Sequence, residues 1–227
     1  LDTSKDYRLI IAQDAVERMD NIIRYHKLNL PLNWNKLSEI LKEIKKIVLK
    51  LRYSYLPINL LLQDEDLNRL RELSVELSKL MLDKNLINKF KPDPRVLAET
   101  RYCLRIFYGL KYRLSLGEEN KPWYAIDVEG VEIVSVHKHP NADKLFVTKA
   151  EGILPYTIVT NIQDVKKGEV RAAAILPPAV IRDVLSEAMY CSNPIPREYK
   201  KRRPPENLYF KEEVGSKVIE IAKKYLH

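Results

Sequence analysis

The feature that most constrains this chain is a change of hydrophobic period near Pro122: apolar residues recur at helical spacing before it and at strand spacing after it. A helical repeat cannot bury its apolar face in a sheet, nor a strand repeat in a helix, so the sequence must build two different bodies. Composition turns at the same place. The first half is rich in Leu, Lys, Arg and Glu with almost no glycine; Val, Ile, Ala and Pro with regularly placed turn residues dominate the second.

Four amphipathic helices account for the first half. Thr3, with Asp6 three residues on, reads as a capping box opening a helix whose stripe is Ile11, Ala15, Met19, Ile22 and His26, closed by Asn29 and Pro31. After Asn33, residues Leu37, Ile40, Leu41, Ile44, Ile47, Val48 and Leu51 keep helical spacing until Pro57. Asp64, Glu65 and Asp66 suit the positive end of a third helix dipole, which repeats Leu67, Leu70, Leu73, Leu77, Leu80 and Met81 and stops by Phe90. Asp93 as N-cap and Pro94 at the first helical position open the fourth, burying Val96, Cys103, Phe107, Leu110 and Leu114 before Gly117. Short connections between long helices give antiparallel neighbours, hence a bundle.

From Ala125 five strands are expected: Val131–Val136, Leu145–Ala150, Thr157–Thr160, Glu169–Leu176 and Ala188–Ser192, with a turn at Lys166, Lys167 and Gly168. Five short strands in so brief a stretch suit a small barrel, which removes sheet edges by closure. An extended exit follows from Asn193 to Pro196, then a basic cluster of Arg197, Lys200, Lys201, Arg202 and Arg203, and a last helix from about Glu212 to Leu226. The expected fold class is therefore α+β and multidomain: an all-α helical bundle (1–120), an all-β barrel (121–194), and a basic, Pro-rich tail with a C-terminal helix (195–227).

The formal charge is +8 and the pI about 9.3, which suits a phosphate backbone or an anionic surface as partner, although lysine-rich surfaces also serve solubility. Up to Asn120 there are 22 basic and 17 acidic residues; from Lys121 onward 17 and 14. Cys103 and Cys191 show no pairing pattern, so a reducing, cytoplasmic setting is expected, and no apolar run approaches a membrane span. Scarce Gln beside plentiful Glu, Lys, Ile and Tyr is a bias of proteins from hot environments.

Two segments carry a resemblance. The run His139, Pro140, Asn141, Ala142, Asp143, Lys144, Leu145 follows the first expected strand directly, and Ser186, Glu187, Ala188, Met189 leads through Tyr190 and Cys191 into the last. In this order, flanking this number of strands, they resemble the tRNA-binding domain family. That family includes free-standing tRNA-binding proteins, the C-terminal appendage of many methionyl-tRNA synthetases, the cytokine-like subunit of the animal synthetase complex and the insert of the phenylalanyl-tRNA synthetase β chain. The resemblance covers only about Asp127 to Ser192 and is silent on the helical half.

What it implies is an oligonucleotide-binding (OB) barrel that recognises tRNA by shape and backbone without catalysis. A homodimer formed through the barrels and an aminoacyl-tRNA synthetase as partner are further implications. Asn141 and Asp143 hold a rigid loop, and Lys144 is either a phosphate contact or a solvated lysine. Ser186 and Met189 face the RNA by resemblance; the plainer alternatives are a cap and a core methionine. The pattern also breaks. Before the Ser186 segment the family carries two basic residues and an Arg-Gly step, where this chain keeps only Arg182 followed by Asp183; the family's Ser-Gly-Leu after the third strand is Thr160, Asn161, Ile162. Fewer rim cations weaken an RNA binder through lost counterion release. Lys200, Lys201, Arg202 and Arg203 are the candidate compensation, with the helix face of Arg101, Arg105, Tyr108 and Tyr112 as a second, though that face equally suits packing.

No cofactor or metal is expected, since His137 and His139 lack a cysteine or acidic partner at metal-site spacing; no Gly-rich phosphate loop or activated nucleophile appears, so no enzyme is expected either. Ends that read as natural and the lack of a catalytic domain count against a fragment of a larger synthetase. The competing expectation is a protein-interaction or chaperone-like module whose barrel is mainly structural or dimer-forming.

Overall fold

The computed structural model describes residues 2–226. The chain divides into two compact units, Leu1–Ala125 with Ser216–His227, and Ile126–Gly215. The sheet unit is thus an insertion in the helical one, and the basic segment belongs to the same unit as the strands, not to a separate body from 195 on.

The helical unit contains α1 (Tyr7–Arg24), α2 (Trp34–Arg52), α3 (Ile58–Leu61), α4 (Glu65–Met81), α5 (Lys84–Phe90), α6 (Pro94–Tyr108) and α7 (Leu110–Leu114). Asn33, Asp64 and Asp93 cap α2, α4 and α6 through their side chains; of the three, Asp93 is the one expected as an N-cap from the sequence. The first cap differs. Thr3–Lys5 forms a separate 3-10 turn, and the buried Asp6 caps α1, accepting from the Arg8 amide at 2.9 Å and from its guanidinium at 2.6 and 3.0 Å. Arg8 in turn donates to the Gly117 carbonyl at 2.7 Å, tying the start of α1 to the chain beyond α7. Two expected helices break. Asp83 accepts from the amides of Asn85 and Leu86 and starts α5 afresh, and Gly109 separates α6 from α7. His26, expected on the apolar stripe, lies past the end of α1 with φ 49° and is exposed. Val96 is half-buried, its expected place taken by Leu97 and Leu104.

α1 is the central helix, with Leu9, Ile10, Ile11, Ala12, Ala15, Met19 and Ile22 all fully buried. Asp14 is buried among them. Arg18 meets it at 2.6 Å and Lys224 at 2.8 Å, while the Tyr225 hydroxyl donates to it at 3.3 Å. Arg52 donates to the Ser4 carbonyl at 2.9 Å and to the Tyr225 carbonyl at 3.0 Å. The segment after the sheet unit, the end of α8 (Lys211–Ala222) with the turn Lys223–Tyr225, therefore completes this core.

The sheet unit has seven strands: β1 (Val128–His139), β2 (Ala142–Glu151), β3 (Pro155–Thr160), β4 (Val170–Ala174), β5 (Ala179–Ile181), β6 (Val184–Ser186) and β7 (Met189–Pro194). Five form an antiparallel sheet in the order β3-β2-β1-β4-β7, and β5 with β6 makes a separate ribbon. The first half of β1 pairs β4 and the second half pairs β2, with a bulge between Ile133 and Ser135 where the strand bends. The two ends of the sheet meet through the β6–β7 turn. The Glu187 amide donates to the Thr157 carbonyl at 2.9 Å, and the Val159 amide to Ser186 Oγ at 3.0 Å. This is the partly open five-stranded Greek-key order of an OB barrel. Its core is Val131, Ile133, Ala150, Tyr156, Ile158, Val165, Ala173, Ile175, Ala188 and Tyr190. Inside it, Thr148 donates to the Ile158 carbonyl at 2.9 Å and takes a 2.8 Å bond from the Tyr190 hydroxyl, whose pKa burial pushes up to about 12.

Candidate nucleic-acid interface

Three turns gather at one rim of the sheet unit. Pro140 and Asn141 turn β1 into β2, and the buried His139 ring locks the turn: Nδ1 accepts from the Asn141 amide at 3.0 Å. Nε2 therefore carries the proton and donates to the Ile181 carbonyl at 3.0 Å, on the tip of the β5–β6 ribbon. The Asn141 side-chain amide reaches Asp183 Oδ2 on the same tip at 3.3 Å. From the third side, the Gln163 side chain donates to the carbonyls of Lys144 at 3.1 Å and Asn161 at 2.9 Å. Asn141, Asp143, Lys144, Asn161 and Arg182 are thereby brought together, all exposed. His139, Gln163 and Asp183 hold the rim and are not among the contact residues the sequence singles out.

The other expected contacts stand elsewhere. Ser186 is buried at the base of the ribbon, where its hydroxyl accepts from Val159 and donates to the Ala188 carbonyl at 3.1 Å. It fastens the barrel and is not offered to a ligand, so the expectation of an RNA contact there is corrected. Met189 begins β7 opposite Ala174 and is half-buried.

The basic tail is also engaged. Residues 199–202 lie along β1: Lys201 donates to the Gly130 carbonyl at 2.8 Å, and the Gly130 amide to the Arg202 carbonyl at 2.9 Å. Lys200 bridges Glu132 at 2.6 Å and Glu151 at 3.1 Å, Lys201 reaches Glu151 at 3.3 Å, and Arg197 meets Glu132 at 2.8 Å. These bonds hold both glutamates below the usual carboxylate range and raise Lys200. Arg203 donates to the Ile126 carbonyl at 3.0 Å and the Tyr209 hydroxyl at 3.2 Å. Only Arg202 of this cluster has no side-chain partner among the described residues, so the expected compensation for missing rim cations is largely neutralised inside the unit. On the helix face bearing Arg101, Arg105, Tyr108 and Tyr112, Arg71 covers the Tyr108 ring at 4.5 Å and donates to its hydroxyl.

Charge divides unevenly. Ile126–Gly215 carries 13 basic and 13 acidic residues, so the net +8 falls entirely on the helical unit. Among the described residues, no group of three or more His, Cys, Asp or Glu is placed to hold a metal ion, and no helix is long and apolar enough to cross a membrane. Cys103 and Cys191 are buried free thiols whose pKa values burial pushes up, Cys191 to about 12.

Fold and rim define an α+β protein in which a helical bundle carries an inserted OB-type barrel with three loops converging on one edge. Residues 1–117 match the family model described as an alpha helical domain, and the chain belongs to that family. No curated protein matches the chain.

Proposed function

We propose that the protein binds tRNA without catalysis, with the rim around Asn141, Lys144, Asn161 and Arg182 as the barrel's contribution. The observation that carries this reading is the His139 bridge, which fixes the Asn141 turn against the Arg182 turn so that two exposed cations and several amide groups share one edge. Such an edge suits a ribose-phosphate ribbon read by backbone contacts. Action beside an aminoacyl-tRNA synthetase, and pairing of two barrels on one tRNA, belong to the same proposal.

Filter binding of bulk tRNA across a salt series tests it. Replacing Lys144 and Arg182 together with Ala removes two phosphate contacts and is expected to make the log–log salt slope shallower by roughly 1.5 to 2. Both side chains are exposed, so the thermal midpoint should hold. An unchanged slope, or equal affinity for any polyanion, would overturn the reading. The balanced charge of the sheet unit favours one alternative, a protein-interaction module; recovery of a nucleic-acid-free complex with a client chain would support it.

A further inference from the structure

We propose that the corner between α1 and α2 is a second RNA site, one that stacks an unpaired base and grips its flanking phosphates. This goes beyond the rim and does not depend on it.

The corner is rigid and solvent-facing. Leu28 and Leu30 are buried on one side of it, and Asn33 restarts the helix through its cap on the other. Between them His26 and Asn29 hold φ of 49° and 51°, a conformation uncommon outside glycine. The left-handed turn at His26 lays its ring on Trp34, with centroids 4.4 Å apart and planes 13° from parallel. His26 is exposed and Trp34 half-buried, so a flat aromatic pair borders solvent. Next to it in sequence Tyr25 is 63% exposed, with the Lys27 ammonium 5.9 Å from its ring centroid. Packing does not require this arrangement, because the core side of the corner is already filled by the two leucines. Exposed rings interleaved with cations are the usual means of holding single-stranded nucleic acid, since every base offers a π-face to stack.

The groove that would take the phosphates begins at Arg24, next to Tyr25 in sequence. A groove of about 370 Å³ follows α1 and α2 and is lined by Arg24, Lys42 and Lys45 together with Glu17 and Asp20. Both acids are already engaged, Asp20 by Arg24 at 2.5 Å and Glu17 by Lys224 at 3.3 Å. Lys42 and Lys45 are exposed and have no ion-pair partner among the described residues. The whole excess charge of the protein lies in this unit, which is what a polyanion partner needs and what the sheet unit lacks.

The test uses the full chain carrying Trp123→Phe, which leaves Trp34 as its sole tryptophan. Titration with a short single-stranded oligoribonucleotide should quench Trp34 emission saturably, and a duplex RNA of equal length should bind more weakly. Tyr25→Ala should lower the single-strand affinity about tenfold. Lys42→Ala with Lys45→Ala should make the salt slope shallower by roughly 1.4. All three positions are exposed, so folding is not at stake. The Lys144→Ala, Arg182→Ala variant should keep the Trp34 response whatever becomes of rim binding. Trp34 emission unmoved at saturating RNA, equal binding of duplex, or a response abolished by the rim variant yet indifferent to Lys42 and Lys45 would each overturn the proposal.

Discussion

At the scale of the residue, the tip of the β5–β6 ribbon is the least comfortable place in the sheet unit. Arg182 and Asp183 both take positive φ, 47° and 73°, as a two-residue hairpin loop joining right-twisted strands requires. Asp tolerates this conformation better than Arg, and glycine adopts it freely. Asp183→Gly should therefore leave the unit as stable or add up to about 0.5 kcal/mol, even though Asn141 then has no carboxylate to bond. It should also raise tRNA affinity at low salt, because an anion leaves the neighbourhood of Arg182. Weaker binding on the same titration would mean that the Asn141–Asp183 hydrogen bond matters more than the charge. The sequence shows the acidic residue where the resembled family has glycine, but it hides the ribbon, since Arg-Asp lacks the Asn-Gly signature of a tight hairpin. His139 is legible there as the start of the resembling run and as half of a His-x-His pair; that its two nitrogens join separate turns depends on a partner 42 residues away.

At the scale of the element, the segment 199–202 behaves as a short extra strand docked on β1. Gly130 permits it, because a Cβ at that position would overlap the Tyr199 carbonyl, which is backbone and cannot swing aside. Gly130→Ala should cost about 2 kcal/mol and release the strap. The loss is measurable as a lower denaturation midpoint together with faster amide exchange at Lys201. Exchange unchanged from wild type would show that the strap is not held there. The long helices are readable from sequence because apolar period and side-chain caps agree, as at Asn33, Asp64 and Asp93. Their interruptions at Asp83 and Gly109 are not, since hydrophobic spacing runs across both breaks. The five sheet strands are legible from the change of period and from the turn residues between them. The destination of the basic cluster is not, because a run of Lys and Arg reads the same whether it faces solvent or glutamates such as Glu132 and Glu151.

At the scale of the whole molecule, the chain leaves the helical unit after Ala125 and returns at Ser216. The returning segment supplies Lys224 and Tyr225 to the buried Asp14 and a carbonyl to Arg52. Removing residues from Lys223 onward should lower the stability of the helical unit by about 2 kcal/mol, discounting for the half-exposed lysine and for Arg18, which still meets Asp14. Urea unfolding followed by the far-ultraviolet helical signal reads this directly, and an unshifted midpoint would show that these bonds contribute nothing. Such coupling over more than two hundred positions leaves no trace in local sequence pattern. It also imposes an order on biosynthesis. A ribosome must make some 100 further residues after Ala125 before Asp14 can meet Lys224 and Tyr225, a delay on the order of ten seconds at ordinary elongation speeds. The nascent helices wait through that interval unsealed, with every residue of the barrel made before the bundle that precedes it is finished.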